Sequence, residues 1–339
     1  MRKLSFFVFS ALSVGVFTIG ATCSPVKITV NAASSNAVYV GGMSAGFTLK
    51  SDGAQIVGMC EVVTESGMIS PAVRAGLRAG DKIVKVNTIA VQSITQLNEL
   101  INASKGRDVD LEIQRNMETM HITVKPVCDK STGRYKIGIL ARDSVSGIGT
   151  VTYINKENGR FGALGHAVLG ENKQELTIFD GSVYACSIVG VSKGVRGKAG
   201  ELRGMFLSNQ TLGVADRLCD SGIFGCISKD FQVNDLLQSV ADSAGAVPGN
   251  AYIYSTVDGL QPKKYQIEIV KVDKSNRENK NYVIKITDDA LVEQTGGIVQ
   301  GMSGSPIMQN GKLIGAVTHV FVNDPTRGYG IDIQKMMQE

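Results

Sequence analysis

Gly301-Met302-Ser303-Gly304-Ser305-Pro306 is the stretch on which the reading of this chain turns. Glycines on both sides of Ser303 let the backbone bend sharply, present the hydroxyl outward and aim backbone N–H groups into one pocket. Such a turn suits attack of a hydroxyl on an acyl carbon and capture of the resulting oxyanion. A plain glycine–serine surface turn would look similar. Pro306, then Ile307-Met308 and Gly315-Ala316-Val317, make the pattern far more specific. The nucleophile needs a base, and the chain has 3 histidines. His166 ends Phe161-Gly162-Ala163-Leu164-Gly165-His166, after the strand pattern Gly149 to Ile154, with small neighbours that leave room for a substrate. His121 has no evident partner and reads as structural. Several aspartates lie between His166 and Ser303, and spacing alone does not choose the one that would orient the imidazole.

Around this stretch the chain is built for short strands. Its 339 residues suffice for two domains, and 43% hydrophobic with 19% charged residues describes a folded protein. Glycine is abundant (39) and tryptophan absent. From Cys128 onward, short Val/Ile/Thr-rich runs alternate with glycine turns: Tyr135 to Leu140, Gly147 to Ile154, Leu176 to Phe179, Gln266 to Val270, Tyr282 to Ile286 and Leu313 to Val322. These imply a β-barrel domain over 128–339, with a short helix at Ile333 to Met337. The net charge of +4 comes without a dense Lys/Arg block, which argues against nucleic acid as a partner. The 6 cysteines are irregularly spaced and show no CxxC, so neither a metal site nor any other cofactor is expected. Cys219 and Cys226 are near enough in sequence to pair, although buried thiols would serve equally.

The region 38–127 reads as a separate unit. Its segment Ser70-Pro71-Ala72-Val73-Arg74-Ala75-Gly76-Leu77-Arg78-Ala79-Gly80-Asp81-Lys82-Ile83-Val84-Lys85-Val86-Asn87 resembles the short helix, Gly-Asp turn and strand of a PDZ domain. Ile94, Leu97, Leu100 and Ile101 predict an amphipathic helix over 94–103. The resemblance implies that a peptide, or a segment of the chain itself, adds as a strand beside that helix. The peptide-binding loop is expected at Gly41, Gly42, Gly46 and Phe47.

At the N-terminus, Met1-Arg2-Lys3 precedes an uncharged run from Leu4 to Ala21. It predicts export, by a cleaved signal or a signal-anchor over 1–22, followed by a Ser/Ala/Asn-rich linker over 23–37.

Two resemblances complete the reading. The serine hairpin is similar to that of trypsin-like peptidases, which implies a chymotrypsin-like double β-barrel and backbone N–H groups of Gly301 and Ser303 as the oxyanion hole. Thr318, His319 and Val320 would then lie on the strand lining the substrate pocket. Gly162 to Ala167, Ile286-Thr287-Asp288-Asp289-Ala290-Leu291, Thr295 to Ile307 and Gly315 to Gly330 closely resemble SpoIVB peptidases of endospore formers. That resemblance spans nearly the whole chain, and Val168-Leu169-Gly170-Glu171 departs from it where an acidic residue often follows. It implies Asp288 as the third member beside His166 and Ser303, with Asp289 its rival. It further implies a mainly β serine endopeptidase behind an N-terminal membrane segment. This enzyme would cut itself and a membrane-bound regulator of an intramembrane protease, in the space between forespore and mother cell. The alternatives are a membrane-tethered PDZ scaffold of little activity, and a general quality-control protease, which usually carries its PDZ after the peptidase.

Overall fold

The computed structural model describes residues 37–116, 118–168, 178–229, 237–239 and 245–338. The expected membrane segment and Cys23 lie outside them. Among the described residues no helix is long and apolar enough to cross a membrane.

The chain begins with β1 (Ala37–Val40) and the long β2 (Ser44–Met59). A hairpin of β3 (Val62–Thr64) and β4 (Gly67–Ile69) leads to α1 (Pro71–Ala75), β5 (Lys82–Val86), β6 (Ile89–Ala90) and α2 (Ile94–Ala103). Then come β7 (Val109–Arg115), β8 (Glu118–Val124) and the small pair β9 (Val127–Cys128) and β10 (Tyr135–Lys136). β11 (Ile139–Asn155) is followed by β12 (Arg160–Ala163), β13 (Ile178–Ser192), β14 (Glu201–Cys219), β15 (Gly222–Ile227) and β16 (Leu237–Ser239). The last part holds β17 (Gly249–Ser255), β18 (Lys263–Val272), β19 (Tyr282–Ile286), α3 (Asp289–Thr295), β20 (Pro306–Gln309), β21 (Lys312–Phe321), β22 (Asp324–Asp332) and α4 (Ile333–Met337).

These strands make two barrels. The first runs β11-β12-β15-β14-β13-β2 and closes because β2 also pairs with β11; the second is the closed ring β17-β18-β19-β22-β21-β20. Closure leaves neither ring an open edge. Tyr282, 1% exposed in the second core, donates its hydroxyl to the Ile314 carbonyl and the Asp332 carboxylate, each 3.0 Å away.

The PDZ unit begins later in the chain than expected. β1 pairs with β11 and β16, and Ser44 to Lys50 pair with β11 and β13. Ala45, Phe47 and Leu49 alternate inward to the first barrel's core, which is what a half-buried strand requires. Residues 38–50 are therefore barrel. The PDZ core starts at Ala54 and Ile56, gathers Ile83, Leu97, Ile101, Leu111 and Ile113, and ends with Ile137. Its expected helix is observed over the expected span, with Ser93 as N-cap accepting from the Gln96 N–H. Arg115 pairs with the buried Asp81 at 2.6 and 2.7 Å.

His121 is not partnerless: its Nδ1 lies 2.8 Å from Asp110 Oδ2 on the neighbouring strand. Cys219 and Cys226 are free thiols, because Cys219 stands opposite Gly222 and Cys226 opposite Val214, at different levels of the β14–β15 ladder. Of the described cysteines only Cys186 is buried.

β2 passes from barrel to PDZ through residues 51–54. Opposite them the β11 register jumps, from Arg142 against Gln55 to Ser144 against Lys50. Gly53 sits in this jump at φ +76°, and a Cβ there would meet the Ile83 carbonyl oxygen at 2.5 Å. Gly53→Val should lower stability by about 2 kcal/mol or more. Thermal unfolding checks this, and an unchanged midpoint would contradict the passage described.

Candidate active site

Ser303 sits in a turn entered from α3. That helix starts at Asp288, whose carboxylate accepts from the Leu291 N–H, and stops at Gly296 in the left-handed conformation. The chain from Gly296 to Gly301 is tied down in passing: Ile298 N–H to the Pro325 carbonyl, Gln300 N–H to the Gly200 carbonyl. Gly301 (φ +98°) and Gly304 (φ +95°) then make the turn. A Cβ on Gly304 would lie 2.1 Å from the Thr150 carbonyl oxygen, so only glycine lets the turn press against the first barrel.

The turn fixes two backbone N–H groups. The Gln300 carbonyl accepts the Leu202 N–H at 2.8 Å, and the Met302 carbonyl accepts the Ser305 N–H at 2.9 Å. Across a planar trans peptide the N–H points opposite to its carbonyl. Both bonds thereby fix the planes that carry the N–H groups of Gly301 and Ser303. Among the described residues neither N–H has a hydrogen-bond partner. The two residues line a cavity of about 520 Å³ that His166, Thr318, His319 and Val320 also line. The structure thus brings together the two expected oxyanion donors, the serine, the histidine and all three expected pocket residues.

His166 reaches the cavity from β12 through Leu164 and Gly165, both left-handed at φ +69° and +72°. A leucine in that conformation is held by its surroundings, here burial in the first core. His166 Nδ1 lies 2.8 Å from the Ala167 carbonyl oxygen. A carbonyl only accepts, so Nδ1 carries the proton and Nε2 keeps the lone pair that a base needs. Burial pushes the His166 pKa below its ordinary value. The His319 ring packs on it, centroids 4.8 Å apart. Desolvation first, then the charges of His166 and Lys280, bring His319 down to about 4. A break in the β21–β22 ladder between Val317 and Val320 sets Thr318 and His319 at this place. It also turns the Thr318 carbonyl toward Ser303, whose hydroxyl donates to it at 2.8 Å. Ser303 is therefore at rest, bonded to Thr318 and not to His166.

Asp288 does not meet the imidazole. One carboxylate oxygen accepts from Leu291 N–H and the other from Gln266 N–H, each at 3.1 Å, which ties α3 to β18. A helix cap between Thr287 and a hydrophobic run was readable as an N-cap from sequence alone. The expected PDZ loop is also elsewhere. Gly41 and Gly42 lie against Val151 and Tyr254 of the barrels, Gly46 against Phe206, and Phe47 lines the catalytic cavity. Phe47 belongs with the substrate site, which sequence reasoning missed because Gly-Phe also begins PDZ strands. Among the described residues no group of three or more His, Cys, Asp or Glu is gathered to hold a metal ion.

Two closed barrels and one cavity lined by a part-buried serine, a histidine and two residues with fixed, unpartnered N–H groups suit a serine peptidase. The profile of the SpoIVB peptidase S55 family matches residues 133–337, and that of the PDZ domain matches residues 62–115. The chain belongs to the SpoIVB peptidase S55 family. Among curated proteins it is similar to one of Lactococcus lactis named as a zinc metalloprotease, 37% identical over 71 residues, 21% of this chain and 16% of that protein. A Clostridium acetobutylicum protein of the same designation is 33% identical over 25% of this chain and 26% of its own length. The chain thus spans only a minor part of these relatives. Among solved structures, the PDZ domain of the SdrC-like protein of Listeria monocytogenes is 22% identical, covering 26% of this chain and 87% of that one, with a TM-score of 0.22. The Rv3671c protease in its inactive form is 12% identical over 57% of this chain and 82% of that one, with a TM-score of 0.33.

Three outcomes follow from this geometry. Asp288→Asn should keep the rate within about threefold while lowering stability by about 1 kcal/mol, since one of two backbone bonds is lost; a triad aspartate changed so would cost about 10⁴ in kcat. Stability should fall as pH drops below about 6.5, because the unfolded chain takes protons that His166 and His319 resist when folded. By the same depression, kcat/KM should hold level from neutral pH down past 6.5. A rate already halved at pH 7 would contradict it.

Proposed function

We propose that the protein is a serine endopeptidase in which Ser303 is the nucleophile, His166 the general base, and the N–H groups of Gly301 and Ser303 the oxyanion hole. The observation that carries this is the meeting of Ser303 and His166 on one cavity beside two fixed, unpartnered N–H groups.

In the reaction Ser303 gives up the Thr318 carbonyl and turns to His166. Nε2 takes the hydroxyl proton as Oγ bonds the substrate carbonyl carbon, and the oxygen becomes an anion between Gly301 and Ser303. His166 returns the proton to the leaving amine, and water then repeats the sequence on the acyl-enzyme. The Ala167 carbonyl holds the ring in the right tautomer throughout, a task usually given to a carboxylate. Asp288 supports the site at a distance, by starting the helix that delivers the nucleophile turn. Neither metal nor organic cofactor enters these steps.

Membership of the family supports a place in sporulation signalling, with the chain itself and a membrane-bound regulator of an intramembrane protease as substrates. The peptidase and PDZ units support peptide and protein substrates in general. The apolar run of Leu4 to Ala21 supports export, and the family supports a site of action between forespore and mother cell. Incubated as the full chain, the wild type should generate self-cleavage fragments that Ser303→Ala does not. Their new termini, read by mass spectrometry, report the residue preference. Equal fragmentation by Ser303→Ala would end the assignment.

A further inference from the structure

β11 belongs to both units. Its first residues, Ile139 to Arg142, pair antiparallel with Gln55 to Met59 of β2. Strand addition to this edge of β2, beside α2, is therefore made by the chain itself. The segment lies along the helix and is tied at both ends: Tyr135 N–H donates to Asn102 Oδ1 at 3.0 Å, and Asp143 Oδ2 accepts the Ile94 N–H at 2.9 Å. Ile137 is buried in the PDZ core, with Ile139 and Ala141 packed against it.

Seven residues beyond Asp143, about 23 Å along an extended strand, the same strand grips the nucleophile turn. Thr150 N–H donates to the Ser303 carbonyl at 2.9 Å, and its hydroxyl donates to the Gly301 carbonyl at 2.8 Å. The Thr152 hydroxyl donates to the Gly304 carbonyl at 2.7 Å. Both threonines are fully buried. Thr150 holds the carbonyls of the very residues whose amides would receive the oxyanion, and Thr152 that of the residue after them, while the other end of their strand is held by the PDZ helix.

We propose that Thr150 and Thr152 are positioning residues of the oxyanion turn, and that β11 couples their placement to the PDZ unit through Asp143. The strand is laddered to β2 on both sides of the register jump, which ties both of its ends to one partner strand. Whatever loosens α2 from Asp143, including a peptide competing for this edge, loosens the turn. The kinetic part rests on the reading of Ser303 as nucleophile; the mechanical part does not.

The experiment is hydrogen exchange by mass spectrometry on the full chain, with peptidase kinetics in parallel, for Asp143→Ala, Asp143→Asn, Thr150→Val and Thr150→Ser. In Asp143→Ala the amides of Met302, Gly304 and Ser305, bonded to Val299, Val317 and Met302, should exchange at least about tenfold faster. Asp143→Asn, which keeps an acceptor oxygen, should restore protection. Thr150→Val should lower kcat about tenfold with KM within twofold, and Thr150→Ser should recover it. Combined with Asp143→Ala, Thr150→Val should cost little more, the mark of a shared route. Faster exchange confined to 94–97 and 139–145, or additive kinetic losses, would overturn the proposal. If the wild type proves inactive, the nucleophile reading fails while exchange at the turn still decides the coupling.

Discussion

Thr150 is where this protein's two barrels are fastened at the point of chemistry. Its backbone and hydroxyl bond to Ser303 and Gly301 across the interface, in surroundings from which water is excluded. Buried hydrogen bonds of this kind cannot be exchanged for bonds to solvent, so losing one costs the full desolvation of its partner. The glycines of the turn follow from the same constraint. Gly304 has no side chain because the Thr150 carbonyl occupies the place of its Cβ, and Gly301 adopts a backbone conformation that other residues avoid. The loop motif visible in the sequence is thus the imprint of a second strand, whose Thr150 lies 151 residues before Gly301, packed against it.

The base is built with unusual economy. A backbone carbonyl fixes the tautomer of His166, and a second imidazole packs on its face. Burial lowers the pKa of both rings, which favours the neutral form and a free Nε2. Asp288 caps the helix that leads into the approach to Gly301. At rest the serine hydroxyl is parked on the Thr318 carbonyl.

How far the sequence disclosed this differs from element to element. That Ser303, His166 and residues 318–320 share one cavity was legible because glycines and a proline at fixed spacing leave few backbone choices. The helix at 94–103 and the strand at 282–286 declared themselves by periodicity. Asp288 lies in the expected motif, but resemblance does not give the direction of a carboxylate, and here it accepts from Leu291 and Gln266 N–H. Gly41 to Phe47 were assigned to the wrong unit for a related reason. A glycine-led strand looks alike in a PDZ domain and a barrel, and only pairing with β11 and β13, distant in sequence, decides between them. The sharing of β2 and β11 between the units is likewise a matter of long-range register, on which local pattern is silent.

The account stands most directly on the reactivity of Ser303. An aryl phosphonate that forms a covalent ester with an activated serine should label the wild type once, with the adduct located at Ser303 by mass spectrometry. His166→Ala should slow that labelling by at least about a hundredfold. Adduct on another residue, or labelling of Ser303 at an undiminished rate without His166, would contradict the active site described.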